Sequence, residues 1–183
     1  MRTRRFSCTV AALAVLTTAC GGGDAATGDD AVAWTNQVCG ALSGFTRAAT
    51  TGPRIDQADR VAAVQELGRY LGSTSEELQR SLTALDAVGP SPVEGGDEYV
   101  DRLREALSGI RTGFDTARTQ VAAIDVSNPA ALATGVPAAV APLQDLRNLP
   151  DPTEGMRTNE ELRTASEQAE NCRALRTTGT PAG

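Results

Sequence analysis

Four cysteines, Cys8, Cys20, Cys39 and Cys172, are the most reactive side chains in a sequence without a single histidine or lysine. The missing histidine removes the Ser-His-Asp and Cys-His nucleophile systems. The missing lysine removes Schiff-base chemistry. Neither a G-x-x-x-x-G-K-[ST] loop nor a G-x-G-x-x-G fingerprint occurs. Isolated thiols with no C-x-x-C spacing make a poor metal site, and a redox-catalytic pair is normally close in sequence. Carboxylates are then the only abundant acid–base groups. Glu94, Asp97, Glu98 and Asp101 form the densest set. Ca²⁺ accepts several carboxylate oxygens, but acids at a helix N-terminus also complement the macrodipole. The simpler expectation is a solvated helix start, as for Glu76 and Glu77 with Arg80 and for Glu160 with Glu161. The residue types therefore point to a non-catalytic chain with no cofactor and no metal.

The remaining clue is positional. Residues 1–5, "MRTRR", form a basic n-region, and "CTVAALAVLTTA" is an apolar run too short to span a bilayer, which takes about 20 residues. Thr18 and Ala19 then precede Cys20, and three glycines follow it. This arrangement resembles the lipobox of bacterial lipoproteins, with Thr17 standing where that family usually has Leu. The resemblance implies cleavage before Cys20 and a diacylglycerol thioether on its sulfur, with palmitate among the acyl chains. Residues 1–19 would be a lipoprotein signal peptide and residues 20–30 a Gly/Asp tether. The chain would sit on the extracytoplasmic face of the cell membrane, held there through the lipid on Cys20. Two or more acyl chains give stable anchoring where one does not. The alternative is ordinary secretion with a free Cys20. Arg4-Arg5 also leaves twin-arginine export open beside the general route.

On that reading Cys8 leaves with the leader and Cys20 is occupied by lipid. Cys39 and Cys172 remain as one possible pair in a compartment that permits oxidation. A structural disulfide joining the first and last helices is the expectation.

Composition supports a helical domain. Hydrophobic residues make up 40% of the 183, yet aromatics only 3%. A core of Ala, Leu and Val suits close-packed helices better than sheets. Loss of the leader removes three of the 17 basic residues, all Arg, and none of the 23 acids, a balance of −9. Such a chain is ill suited to nucleic acid, which demands a basic face. An anionic bilayer surface would repel it as well.

The elements follow from periodicity. Residues 31–49 place Trp34, Val38, Leu42 and Phe45 on one helix face. Residues 54–88 continue with a leucine-rich stripe, with Pro53 near its start and a break expected around Gly72, Ser73 and Thr74. Residues 97–126 carry the clearest pattern. Val100, Leu107, Phe114 and Val121 recur every seven residues, interleaved with Leu103, Ile110, Ala117 and Ile124. Asp97 or a neighbour is the expected cap. Ser127 or Asn128 with Pro129 restarts a helix that Pro137 and Pro142 should distort. Thr158 and Glu161 offer a capping box for a final helix carrying Cys172. Trp34 reads as a core residue, and Gly109 and Gly113 as points of close helix approach. The sum is an all-α, up-down bundle of about five helical segments over residues 31–176, with a disordered tail at 177–183.

"WTNQVCGAL", "GPSPVEGGDEYVDRL" and "ENCRAL" also resemble a group of uncharacterised secreted proteins and lipoproteins of actinobacteria. That resemblance implies a helical extracytoplasmic domain with paired end cysteines, and it assigns no catalytic or binding residue. Two functions fit. One is an interaction or scaffold module contacting another protein of the cell envelope. The other is a bundle that binds or senses a small apolar molecule.

Overall fold

The computed structural model describes residues 28–56, 58–146 and 154–178. The leader, Cys20, most of the tether and residues 179–183 lie outside them. Within the described residues the chain is all helical, with seven helices: α1 (Gly28–Thr51), α2 (Arg60–Asp86), α3 (Gly96–Ala122), α4 (Pro129–Asp145), α5 (Glu154–Thr158), α6 (Glu160–Gln168) and α7 (Glu170–Thr178).

Helix α1 buries Ala31, Trp34, Thr35, Val38 and Cys39, a stripe at three- and four-residue spacing. It starts three residues earlier than its apolar pattern, so Gly28 to Asp30 belong to the helix and not to the tether. Asp29 and Asp30 explain the extension, since first-turn acids favour the positive end of the dipole. Gly52, at φ 63°, supplies the left-handed residue that ends α1.

Pro53 does not open the next helix. The Asp59 carboxylate caps α2 instead, accepting from the Ala62 N–H at 2.9 Å, and the described residues 52–56, 58 and 59 belong to the connection. The break expected at Gly72 is absent. Gly72 costs about 1 kcal/mol relative to alanine in a helix. Burial of Leu71, Leu78 and Leu85 along one seam outweighs that cost. Of the small polar residues that suggested a break, Ser73 is exposed but Thr74 is wholly buried, and the hydroxyl of the next residue, Ser75, donates to Asp115 Oδ1 at 2.6 Å on α3.

In α3 the expected seam is buried at Val100, Leu103, Leu107, Phe114, Ala117 and Val121. Its entry differs from expectation. Gly95, at φ 75°, precedes the helix, and the Asp97 carboxylate reaches back to accept the Ser91 N–H at 2.8 Å. After α3, the Asp125 carboxylate accepts from the Ser127 hydroxyl at 2.6 Å and from its N–H at 3.0 Å. The hydroxyl bond first and the amide bond second lower the Asp125 pKa. The turn's stabilisation is therefore present above the unfolded carboxyl pKa and is lost as pH falls through the lowered one.

Asn128 caps α4, accepting from Ala130 and Ala131. The helix continues past both Pro137 and Pro142 to Asp145. Pro137 has no N–H to offer the Ala133 carbonyl one turn back.

The single final helix of the sequence reading is two helices, α6 and α7, with the short α5 preceding them. Thr158 ends α5, its hydroxyl donating to the Glu154 carbonyl. Asn159 takes the capping role instead: its Oδ1 accepts from Glu161 and Leu162 at 3.0 and 3.1 Å. The Asn159 amide nitrogen also donates to the Glu94 carbonyl at 2.8 Å, tying α6 to the turn before α3. Asn159→Ala should destabilise the fold by about 1–2 kcal/mol in chemical denaturation. Asn159→Asp, which keeps the cap acceptor and loses only the donor, should cost less; equal losses would refute the capping role. A second break lies at Ala169, in extended conformation with ψ 125°. It frees the Asn171 N–H to donate to Asn36 Oδ1 at 2.8 Å, while Asn171 Nδ2 donates to the Asn36 carbonyl at 3.0 Å. Gly40 permits this approach, since a Cβ there would lie 2.8 Å from Asn171 Nδ2.

Consecutive long helices pack on one another, α1 on α2, α2 on α3 and α3 on α4, while α6 and α7 return to α1. Cys39 and Cys172 form the expected disulfide between α1 and α7, with Cα atoms 5.0 Å apart. The tail begins later than expected, because α7 continues to Thr178.

Candidate binding site

The most distinctive surface lies on either side of the connection between α1 and α2. Its backbone is shaped locally: the Asp56 carboxylate accepts the Ala58 N–H at 2.9 Å, and Asp59 then opens α2. Arg54 and Ile55, adjacent in this segment, line two different depressions.

Ile55 closes an apolar groove of about 520 Å³ between α2 and α4. Val64 and Leu67 form one wall, and Leu132, Val136 and Pro137 the other. The groove exists because α2 and α4 both pack on α3 and leave a furrow between themselves. Ile55 is 43% exposed, the most of the large exposed hydrophobic residues. Arg60 is the one charged residue in the lining. Such a furrow can take an apolar chain: each methylene removed from water contributes about 0.8 kcal/mol.

Arg54 lines a cleft of about 650 Å³ between α1 and α2, together with Arg47 and Arg69. Tyr70 and Thr74 of α2 also line it, and Glu66 and Glu77 are its acids. A third depression, about 930 Å³, runs between α2 and α3 beside Gly68, Gly72 and Val126.

Among the residues singled out in the sequence, Cys39 and Cys172 come together, and Cys20 lies outside the described residues. The acidic group does not converge. Asp97 is engaged by Ser91, and Asp101 meets Arg104 at 2.7 Å. No group of three or more His, Cys, Asp or Glu residues among those described is placed to hold a metal ion. Arg104 instead braces the end of α2, donating to the Leu85 carbonyl at 2.8 Å and lying 3.0 Å from the Asp86 carboxylate.

The other acids are helix-surface pairs. Arg80 bridges Glu76 and Glu77, and Arg163 meets Glu160 and Glu167 at 2.5 Å each. The Arg163 hydrogen bond and charge hold the Glu160 carboxyl below its ordinary range. Trp34 is a core residue, its Nε1 donating to the Gly89 carbonyl at 2.9 Å. Gly113 faces Leu146 closely, whereas a Cβ on Gly109 would meet nothing within 4 Å.

Sequence reasoning missed both depressions beside the connection. Ile55, isolated among polar loop residues, was the one signal that could have marked the groove. Comparison of the chain with family models, with curated proteins and with solved structures finds no match.

Proposed function

We propose that the chain is an extracytoplasmic domain, anchored by lipid on Cys20, that holds a small apolar molecule in the groove between α2 and α4 without transforming it. The observation that carries this reading is the groove, lined almost entirely by aliphatic side chains and closed by an exposed isoleucine. The Cys39–Cys172 bond supports the location, because structural disulfides persist in oxidising compartments. The helices would alternate up and down, with the late breaks at Asn159 and Ala169 interrupting a fifth segment. Lipidation has its own test: mature protein in cells fed labelled palmitate should carry the label, and Cys20→Ala should abolish it.

Ligand binding is tested with a neutral solvatochromic dye such as Nile red. The protein should bind it saturably with a blue shift, and Val136→Trp, which fills the groove, should weaken binding at least tenfold while the fold is retained. Absence of saturable binding, or binding indifferent to Val136→Trp, would sink the proposal. A second reading, a contact surface for another envelope protein, is favoured by Val61 and Val126, which are 38% and 36% exposed outside the groove. In-cell crosslinking from these two positions should then recover one reproducible partner, and recovering none would discard it.

A further inference from the structure

We infer that the cleft between α1 and α2 is a binding site for a small soluble oxyanion of the phosphate class. Three arginines line it from three separate segments: Arg47 from α1, Arg54 from the connection and Arg69 from α2. Arginine forks match the oxygens of phosphate, and charge-assisted bonds of this kind are roughly twice as strong as neutral ones. The acids in the lining neutralise only Arg69 of the set, leaving Arg47 and Arg54. Glu66 is held by Arg69 at 2.7 Å, and Glu77 by Arg80, which lies outside the cleft. Arg47 and Arg54 have no acidic partner among the described residues. In a chain of net charge −6, gathering arginines rather than spreading them makes a local positive field that draws in anions.

A second, independent observation comes from the wall of the cleft. Thr74 is 0% exposed, and its hydroxyl has no hydrogen-bond partner among the described residues. Leaving such a group unpaired costs about 1–3 kcal/mol, a penalty that a ligand oxygen would offset once the wall opens enough to expose the hydroxyl, which is shielded from solvent in the free chain. The site shares no lining residue with the apolar groove.

Phosphate chemistry could come from a free metabolite or from a lipid headgroup. The position of the cleft favours the free source. Arg47 lies 19 residues beyond Gly28, the first residue of α1, so about 28 Å of helix separates the cleft from the end that the tether joins. The acidic remainder of the chain is also repelled by an anionic bilayer.

Calorimetric titration of the full chain with inorganic phosphate at low ionic strength tests the assignment. Saturable binding is expected, weakened at least tenfold in the double variant Arg47→Ala/Arg54→Ala and about threefold or more in Thr74→Val. The double variant Arg47→Lys/Arg54→Lys, which keeps charge but not the forks, should recover only part of the loss. Nile red binding should be unchanged in all of these variants, which separates the failure of this site from the failure of the groove. No saturable phosphate binding, or binding indifferent to the arginines, would overturn the site. In a parallel arm, the delipidated chain is mixed with phosphatidylglycerol vesicles. Arginine-dependent vesicle binding without binding of inorganic phosphate would overturn the soluble source.

Discussion

Cys39→Ser/Cys172→Ser should lower the stability of the domain by up to about 5 kcal/mol, the chain-entropy value for a loop of this length. The two residues are 133 apart in sequence, so the bond removes a great deal of freedom from the unfolded chain. For a domain of this size the loss corresponds to a fall of roughly 10–20 °C in Tm, read by circular dichroism at 222 nm. The effect has a structural locus as well. Helices α6 and α7 dock principally on α1. Around the disulfide only a small apolar group, Ala169 with partly buried Val32, Met156 and Leu175, packs alongside. Reduction should therefore release α7 first, so that hydrogen exchange of residues 170–178 rises before that of α2 and α3. Oxidised and reduced protein melting within two degrees of each other would contradict this.

Trp34→Ala should be the costliest single substitution, at about 3–5 kcal/mol. The indole joins three elements. It lies on α1, it donates to the Gly89 carbonyl in the turn after α2, and its ring edge rests on Gly96 at the start of α3. A Cβ on Gly96 would stand 3.2 Å from that ring. Trp34→Phe keeps much of the apolar volume and loses the hydrogen bond, so its cost should be nearer 1–2 kcal/mol. Urea denaturation followed at 222 nm gives both values. Trp34 is the lone tryptophan and is 6% exposed, so native emission should be blue-shifted and should move red on unfolding. Equal costs for the two variants would mean that packing contributes nothing beyond the hydrogen bond.

The helical class and the seam of α3 were legible because they depend on local periodicity alone. Val100, Leu107, Phe114 and Val121 recur every seven residues in the sequence, and they are buried in the fold. The disulfide was legible by elimination. Three of the misreadings share one cause, a local signal overridden by a distant partner. Gly72 to Ser75 carry breaking residues, yet the Ser75 bond to Asp115 and the leucine seam hold α2 continuous. The break at Ala169 has neither Gly nor Pro to announce it. It is fixed by Asn36, which is 135 residues from Asn171. Thr158 and Asn159 are both competent caps, and the Glu94 carbonyl decides between them. The groove and the arginine cleft were invisible for a related reason. Both depend on how α1, α2 and α4 lean on their neighbours, which no spacing of residues along one helix encodes.

Joining Cys39 to Cys172 also turns most of the domain into a closed ring of chain, with Asn36 and Asn171 clasped just outside one sulfur and just inside the other. Mechanical load between the chain's two ends cannot stretch anything inside that ring. A pull from the N-terminal side unravels α1 only as far as Cys39, paying out roughly 40 Å of extended chain from Gly28. The force then crosses the sulfur–sulfur bond to α7, leaving α2, α3 and α4, together with their groove, off the load path.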